Sequence, residues 1–268
     1  MPGVTRRERD KHLTEAPAPS ISLAVRVMSS RWPTHHGADW ALTGRLRASG
    51  GCRVAFMAGS RVEIFPDALH LPGFLSLAEQ CALSVRCLAI GTGFPGWYVP
   101  TVRGGGKMRV QMICLGRHWN ARTYGYEATR RDHDGQPAPV LPADLSALGS
   151  RMALAAGMQM SPDVCILNYY GADGKMGLHQ DKDERPETLA AGVPIVSVSI
   201  GYTARFIVGG LKRRDPTTVV SLVSGDVFVL GGTSRLRYHG VAALLPGTGP
   251  SELRLNGRLN LTFREGAT

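Results

Sequence analysis

A histidine and a carboxylate stand two residues apart in the stretch LNYYGADGKMGLHQDKDE, which runs from Leu167 to Glu184. In a strand, residues i and i+2 project from the same face, so His179 and Asp181 could both reach one metal ion. The pair alone does not establish a metal site, because His-x-Asp is frequent by chance and also suits an exposed polar turn.

A third metal ligand would have to come from a distant part of the chain. His239 is the best of the remaining histidines, because it follows the apolar stretch GDVFVLGG and the turn-like Thr233–Ser234. Two histidines and one carboxylate leave up to three coordination positions free, which suits non-haem Fe(II) oxygen chemistry. A histidine at this position is also compatible with an ordinary polar role.

The stretch RLNLTFR near the C-terminus alternates polar and apolar side chains. In a strand, one face would carry Arg258, Asn260, Thr262 and Arg264. Two arginines and an amide are difficult to bury together without an anionic partner, and a dicarboxylate would satisfy them. The alternative is that this face is exposed to solvent.

The second half of the chain must position these groups. From Asp163 onward it reads as short strands separated by polar turns, namely VCILNYY, PIVSVSIG, ARFIVGG, TTVVSLVS, DVFVLGG and RLNLTFR. This spacing predicts a β-sandwich or barrel, with a jelly roll whose open end holds the site as the best fit. A further strand is predicted at 108–114, and residues 115–140 read as an exposed loop or hairpin.

Two helices are predicted to support the sheet. Ser76 and Glu79 form a capping box at the start of the first helix. Its inner face is predicted to carry Leu77, Cys81 and Val85. Pro142 and Asp144 open the second helix, which Gly157 would end. Its inner face is predicted to carry Leu145, Leu148, Met152 and Ala155. The predicted fold class is therefore α+β and mainly β.

Composition limits the class of protein. The chain has 268 residues, of which 43% are hydrophobic, so it can bury a sizeable core. It has no apolar run long enough to span a bilayer and no hydrophobic signal-peptide centre, which predicts a cytoplasmic protein. Reduced, packed thiols are expected because no CxxC motif occurs among the five cysteines, Cys52, Cys81, Cys87, Cys114 and Cys165.

The net charge of +10 is concentrated near the N-terminus. Residues 1–61 contain ten Lys or Arg against four Asp or Glu, a net +6, which leaves +4 for residues 62–268. Because apolar residues in 1–61 show no sustained helical or strand periodicity, we predict a flexible basic extension before a domain at 62–268. Such an arm could assist nucleic-acid binding or be dispensable, and Met57 could be the true start.

Six sequence blocks follow one another across most of residues 98–264, namely NYYGADGKMGLHQDKDE, PIVSVSIG, GGLKRRDP, GDVFVLGG, SRLRYHG and RLNLTFR. In this collinear order they resemble the bacterial AlkB family of Fe(II)/2-oxoglutarate-dependent nucleic-acid dealkylases. The resemblance implies a double-stranded β-helix (jelly roll) with supporting helices on one side. It implies Fe(II) held by His179, Asp181 and His239. It places the co-substrate 2-oxoglutarate, with which O₂ reacts, against Asn168, Tyr170, Arg258, Asn260 and Arg264.

The resemblance also suggests how a substrate would be held. Trp119 matches the position that stacks on a flipped base, and Tyr126 matches a lid residue that touches the nucleic-acid backbone. Asp183 and Arg213 match positions near the base. Each of these could instead be an ordinary exposed loop residue. The chain departs from the family pattern at three positions where an aromatic residue is expected, Gly106, Ala128 and Leu230.

The activity that the resemblance implies is oxidative demethylation of bases such as N1-methyladenine and N3-methylcytosine in DNA, and also in RNA. The expected partner is alkylated, preferably single-stranded, nucleic acid, and the expected state is a monomer. One alternative is a 2-oxoglutarate-dependent oxygenase that acts on tRNA, protein or a small molecule. Another is a non-catalytic nucleic-acid-binding module that uses the basic arm and Trp119.

Overall fold

The computed structural model describes residues 60–267. The extension predicted at residues 1–61, with Cys52 and Met57, therefore lies almost entirely outside the described residues. Within residues 60–267 the protein forms strands and helices in the following order: β1 (Val62–Phe65), β2 (Ala68–Leu71), α1 (Leu77–Thr92), β3 (Gln111–Leu115), β4 (His118–Asn120), β5 (Gly125–Glu127), α2 (Ala143–Ala155), β6 (Val164–Tyr170), β7 (Met176–His179), α3 (Pro186–Ala190), β8 (Ile195–Gly201), β9 (Thr203–Val208), β10 (Thr218–Leu222), β11 (Val227–Leu230), β12 (His239–Leu245) and β13 (Arg258–Arg264).

The strands form two larger antiparallel sheets and one hairpin. The major sheet has the order β1-β2-β11-β8-β13-β6-β3, and the minor sheet has the order β10-β9-β12-β7. Strands β4 and β5 pair only with each other within the described residues. Two facing antiparallel sheets with crossed-over connections form a jelly roll, so the predicted fold class is confirmed.

Side chains of the central strands point alternately to the two faces of the major sheet, and apolar side chains pack on both faces. One apolar cluster lies between the major sheet and helices α1 and α2, and it includes Leu261 and Phe263 of β13. A second cluster, which includes Phe206 and Phe228, lies between the two sheets. Both faces of β13 are buried. Helices α1 and α2 therefore cover the outer face of the major sheet, and its inner face is left for the site.

Helix α1 begins as predicted but buries a different face. Ser76 and Glu79 form the capping box. However, the exposed fractions of Leu77 and Val85 are 40% and 69%, while Leu83 and Cys87 are buried. This helix has apolar residues on all sides, so the sequence period does not select one face. Small residues on the buried side, such as Gly91 against Trp97, permit close packing.

Helix α2 follows its prediction more closely. Leu145 and Met152 are buried, and Gly157 adopts a positive φ of 77° directly after the helix. Ala155 is exposed, which corrects its predicted place on the inner face. The buried positions of the last turn are Ala153 and Ala156, because the contact stripe of a packed helix drifts around its axis.

Some strands were not apparent from the sequence. The pattern HGVAALL gives β12, although it starts with His-Gly and contains two alanines, which have low strand propensity. Pairing with β9 on one side and β7 on the other stabilises it. The strand predicted at 108–114 starts later, at Gln111.

The cysteines in the described part of the chain behave as predicted. Cys87, Cys114 and Cys165 are free and buried, and Cys81 is free and partly buried. Burial raises the pKa of Cys87 to about 12. In residues 60–267, no helix combines the length and apolarity needed to cross a bilayer.

Candidate metal centre and co-substrate pocket

His179, Asp181 and His239 come together at the open end of the jelly roll. One ligand atom from each lies within 4.8 Å of the others. The Asp181 carboxylate oxygens lie 3.6 Å from His179 Nε2 and 3.5 Å from His239 Nε2. Two imidazole nitrogens and one carboxylate facing each other are close enough to bind one metal ion, as the sequence predicted for Fe(II).

Strand pairing brings the two histidines together. β12 runs antiparallel to β7 and places His239 directly opposite His179. Gly240 permits this approach, because a Cβ there would lie 2.6 Å from the main-chain oxygen of Met176. β7 ends at His179, so Asp181 lies in the following loop and strand alternation does not explain its position. Side-chain hydrogen bonds must hold it.

Backbone carbonyls fix the tautomers of both histidines. His179 Nδ1 lies 2.9 Å from the Gly177 oxygen, and His239 Nδ1 lies 3.0 Å from the Arg237 oxygen. A carbonyl oxygen only accepts, so each Nδ1 carries a hydrogen and each Nε2 lone pair faces the cluster. Burial, with His239 nearby, lowers the pKa of His179 to about 4. His179 is therefore neutral at neutral pH, the form that binds metal.

Asp181 is held in its charged form by an arginine. Arg264 Nη2 donates to Asp181 Oδ2 at 2.8 Å. Burial acts to raise the pKa of Asp181, but the charge of Arg264 lowers it well below the usual range. Burial likewise opposes the charge on Arg264, and Asp181 more than offsets this and raises the pKa of the guanidinium.

The polar face of β13 points into the space between the sheets. Arg258 lies opposite Tyr170 of β6, and Asn260 lies opposite Asn168. On the other side of β13, two serines of β8 accept hydrogen bonds from this face. They are Ser199, from Arg258 Nη2 at 2.9 Å, and Ser197, from Asn260 Nδ2 at 2.6 Å. The alternative of a solvent-exposed face is excluded, because all of these β13 side chains are buried.

Several buried polar atoms of this face have no hydrogen-bond partner among the described residues. They are Arg258 Nε and Nη1, Arg264 Nη1 and Asn168 Oδ1. Burial lowers the pKa of Arg258. Its guanidinium lies over the Tyr170 ring, 5.3 Å from the ring centroid. Buried N–H groups without acceptors cost free energy, and a dicarboxylate supplies acceptors of the correct charge for both guanidinium groups.

The candidate substrate residues lie at the mouth of the same space. Trp119 of β4 donates through its indole Nε1 to Asp183 Oδ2 at 2.7 Å. Burial raises the pKa of Asp183. Arg213 is exposed and donates to the main-chain oxygen of Leu178, at 2.7 Å. A charged carboxylate and an indole that contact each other beside the histidines can hold a planar, cationic group.

Tyr126 of β5 points inward. Its hydroxyl donates to Glu184 Oε1 at 3.1 Å. It is the direct cross-strand partner of Trp119. The hairpin that carries both aromatics is anchored by His118, whose fully buried ring lies 2.5 Å from Asp132. Asp132 also accepts from the Ala121 N–H at 3.1 Å.

Every candidate site residue lines one cavity of about 580 Å³. The three positions that depart from the family pattern differ in burial. Leu230 is buried and lines this cavity, whereas Gly106 and Ala128 are exposed. Leu230 therefore shapes the interior of the cavity, and the other two positions lie at the surface.

Two buried charged residues beside the metal cluster, Glu184 and Arg235, are not indicated by any motif in the sequence. Glu184 and Arg235 pair at 2.8 Å, with side-chain exposures of 1% and 2%. Glu184 ends the stretch that carries the metal ligands, and Arg235 precedes His239 in SRLRYHG. Their positions near the ligands are the only signal in the sequence, because charged residues in polar loops are normally exposed. Tyr169, in contrast, packs on the opposite face of the major sheet.

Comparison with known proteins identifies the family. The model of the 2OG-Fe(II) oxygenase superfamily matches residues 67–264. The alpha-ketoglutarate-dependent dioxygenase AlkB of Escherichia coli (strain K12) is 41% identical over 191 residues, which cover 70% of this chain and 84% of that protein. The chain belongs to the AlkB family. Members of this family of 2OG-Fe(II) oxygenases use Fe(II), 2-oxoglutarate and O₂, and the His-Asp-His cluster fits that chemistry.

Other AlkB relatives extend the match. The AlkB homolog of Caulobacter vibrioides (strain NA1000 / CB15N) is 38% identical over 225 residues, covering 83% of this chain and 98% of that protein. The DNA N(6)-methyladenine demethylase ALKBH1C of Arabidopsis thaliana is 37% identical over 227 residues, covering 77% of this chain. The chain spans about half the length of the plant relatives, 50% for ALKBH1C. The solved structure of OsALKBH1 has a TM-score of 0.72 at 38% identity, covering 77% of this chain and 100% of that one.

Proposed function

We propose that this protein removes methyl groups oxidatively from N-alkylated bases in DNA, such as N1-methyladenine and N3-methylcytosine, and also from RNA. One observation carries the proposal. A single cavity contains the His-Asp-His cluster, two buried arginines with unpaired N–H groups, and an indole in contact with a carboxylate. A metal, a dicarboxylate and a flat cationic base would each find matching chemistry there.

In this proposal His179, Asp181 and His239 hold Fe(II). Asn168, Tyr170, Arg258, Asn260 and Arg264 hold 2-oxoglutarate. Arg258 has no acidic hydrogen-bond partner among the described residues, so it would bind the distal carboxylate, and Arg264 would bind near the metal. When bound, Fe(II) and 2-oxoglutarate would use one O₂ to couple oxidation of 2-oxoglutarate to succinate and CO₂ with hydroxylation of the N-methyl carbon. One oxygen atom would enter succinate and the other the hydroxymethyl group, which would then leave as formaldehyde. The protein itself contributes orientation, charge and exclusion of water.

The base would be oriented by the residues at the cavity mouth. Trp119 would stack on it, at about 1–3 kcal/mol per base. Asp183 would face its positive charge or exocyclic amine. Arg213 and Tyr126 would contact the neighbouring nucleic acid. Since Tyr126 points toward Glu184, a backbone contact by its hydroxyl would require it to leave that carboxylate.

We propose that the protein prefers single-stranded substrate. A base inside a duplex must be unstacked and flipped before it can enter, at a cost of a few kcal/mol. We further propose that the protein is monomeric and cytoplasmic. Light scattering of the purified protein and fractionation of cells that express it would test these two points.

The central experiment is product analysis on matched oligonucleotides. We expect protein supplied with Fe(II), ascorbate and 2-oxoglutarate to convert N1-methyladenine and N3-methylcytosine to the unmodified bases and to release formaldehyde and succinate. The His179→Ala variant is the control and should release neither product. Succinate formation without loss of methyl groups from any oligonucleotide would contradict the proposed substrate.

N(6)-methyladenine is a second candidate substrate, because the plant relative ALKBH1C, 37% identical over 227 residues, is named for its demethylation in DNA. This base is neutral, so the charge of Asp183 would contribute less to its binding. The same oligonucleotide set, extended with N(6)-methyladenine, tRNA and a peptide pool, ranks these substrates. Preference for tRNA or peptide would support the alternative, predicted from the sequence, of an oxygenase with a different substrate.

A further inference from the structure

Four charged side chains form a closed ring at the metal cluster; three are buried, and the fourth, Asp181, is 11% exposed. Arg264 donates to Asp181 Oδ2 at 2.8 Å and to Glu184 Oε1 at 3.2 Å. Arg235 Nη2 donates to Glu184 Oε2 at 2.8 Å, and Arg235 Nη1 donates to the main-chain oxygen of Asp181 at 2.6 Å. The ring therefore begins and ends at Asp181, once through its carboxylate and once through its backbone.

Arg235 uses its whole guanidinium group. Besides Asp181 and Glu184, it donates through Nε to the main-chain oxygen of Val193 at 2.8 Å. The three acceptors come from the metal-binding loop and from the segment before β8. A planar guanidinium reaches three acceptors in fixed directions, whereas an ammonium group on a flexible stem does not. Arg235 thus fixes the loop that follows β7, in which strand hydrogen bonds no longer hold the backbone.

Glu184 connects the ring to the base-binding hairpin. Its Oε1 accepts from Arg264 and also from the Tyr126 hydroxyl at 3.1 Å. The charges within the ring balance, with two arginines against two carboxylates. Removing one buried partner leaves an uncompensated charge, so each member depends on the others for its position.

We propose that Arg235 and Glu184 are positioning residues, which hold the metal ligand Asp181 and the co-substrate arginine Arg264 as one unit. Neither residue contacts the metal or 2-oxoglutarate in this role. The proposal rests on the proposed metal and co-substrate assignment, and it is independent of which base or other substrate the enzyme oxidises.

The test uses the full chain and Co(II) as the probe, since the visible absorption of Co(II) reports its ligands directly. The variants are Arg235→Lys, Arg235→Met and Glu184→Gln. Outer-shell partners of metal ligands typically contribute about 10–100-fold in affinity, so we expect the Kd for Co(II) to rise by that factor in Arg235→Met. Arg235→Lys keeps the charge but loses the planar guanidinium group, so its Kd for Co(II) should lie between those of wild type and Arg235→Met.

The second readout is the co-substrate. With Glu184→Gln, Arg264 loses one of its two carboxylate partners, and we expect the KM for 2-oxoglutarate to rise more than kcat falls, with succinate formation as the measure. The matched control is Arg130→Lys. Arg130 is also a buried arginine, but its hydrogen bonds go to Asp134 and to the main-chain oxygen of Pro95.

The outcomes separate positioning from general stability. If the Arg235 variants lose thermal stability as Arg130→Lys does, yet bind Co(II) and 2-oxoglutarate with wild-type affinity, the proposal is overturned. If Arg235→Met does not fold, the Kd for Co(II) and the KM for 2-oxoglutarate of Glu184→Gln decide. Wild-type values of both would overturn the proposal. Wild-type protein that binds Co(II) and forms succinate but demethylates no oligonucleotide would refute the proposed substrate and leave this proposal standing.

Discussion

At the scale of single residues, some polar groups of the cavity have hydrogen-bond partners in the protein and others do not. On the metal-binding side, Asp181 and both histidines already have partners on their outer sides. The co-substrate side still lacks partners, since the N–H groups on Arg258 Nε and Nη1 are buried and have no acceptor among the described residues. A ligand that provides those acceptors gains more than it would from exposed groups, because the arginine is already desolvated.

Arg258→Met tests the site of the distal carboxylate. Removing one partner of a buried charge pair costs about 2–5 kcal/mol, so the KM for 2-oxoglutarate should rise at least about 30-fold. The Kd for Co(II) should stay close to that of wild type. Succinate formation measures the first and Co(II) titration the second. Arg205→Met, which replaces an exposed arginine of β9, is the control and should change neither value.

Asp183→Asn tests whether charge at the cavity mouth selects the base. The amide keeps an oxygen that can accept from the Trp119 indole but removes the negative charge. Hydrogen bonds to charged groups contribute about 1.5–3 kcal/mol, so kcat/KM for N1-methyladenine should fall about 10-fold or more. The loss for the neutral N(6)-methyladenine should be smaller. Equal losses for the two bases would contradict selection of the base by the charge of Asp183.

At the scale of elements, the site depends on which faces of the strands and helices are buried. The inner face of β13 carries the polar groups, and the outer face carries Leu259, Leu261 and Phe263, which pack toward α1 and α2. A shift of register by one residue would exchange these faces and remove the site. Packing of the helices on the outer face therefore fixes the orientation of Arg258 and Arg264 in the cavity.

A pair of substitutions in α1 tests its buried face. Leu83 is 7% exposed and Val85 is 69% exposed. Leu83→Ala should lower the free energy of unfolding by about 2–5 kcal/mol, because it leaves a cavity in the outer core. Val85→Ala should change it by no more than about 0.5 kcal/mol. Urea unfolding measures both, and the reverse order would restore the face predicted from the sequence.

At the scale of the whole molecule, all candidate site residues belong to residues 60–267, while much of the net positive charge lies at 1–61. We propose that the catalytic domain occupies residues 62–268 and that the N-terminal segment is a basic extension. Electrostatic contacts with phosphates depend strongly on salt, whereas the residues that we assign to the metal and to 2-oxoglutarate all lie within 62–268.

A variant that begins at Ser60 tests this division. We expect its Kd for Co(II) and its KM for 2-oxoglutarate to equal those of the full chain, since every candidate ligand is retained. Single-stranded DNA binding should be measured at several salt concentrations. An unchanged salt dependence would indicate a dispensable segment, and a shallower one would indicate that the segment contacts phosphates. Loss of metal binding would refute the proposed boundary.

The sequence alone determined the elements whose local patterns are unambiguous. β6 and β13 have the predicted bounds, because their alternating or continuous apolar residues suit a strand in any context. The capping box of α1 and the end of α2 at Gly157 follow from local hydrogen bonding and backbone freedom. The spacing of His179 and Asp181, with the collinear blocks around them, was enough to recognise the AlkB family.

Tertiary structure decided the features that depend on distant partners. β12 forms because β7 and β9 lie on either side of it, and this pairing brings His239 to His179. The buried face of α1 is selected by fit against the sheet, since its apolar residues surround the helix. Glu184 and Arg235 lie in polar loops, and only their mutual pairing makes burial of their charges favourable. No local pattern in a sequence encodes such a pairing.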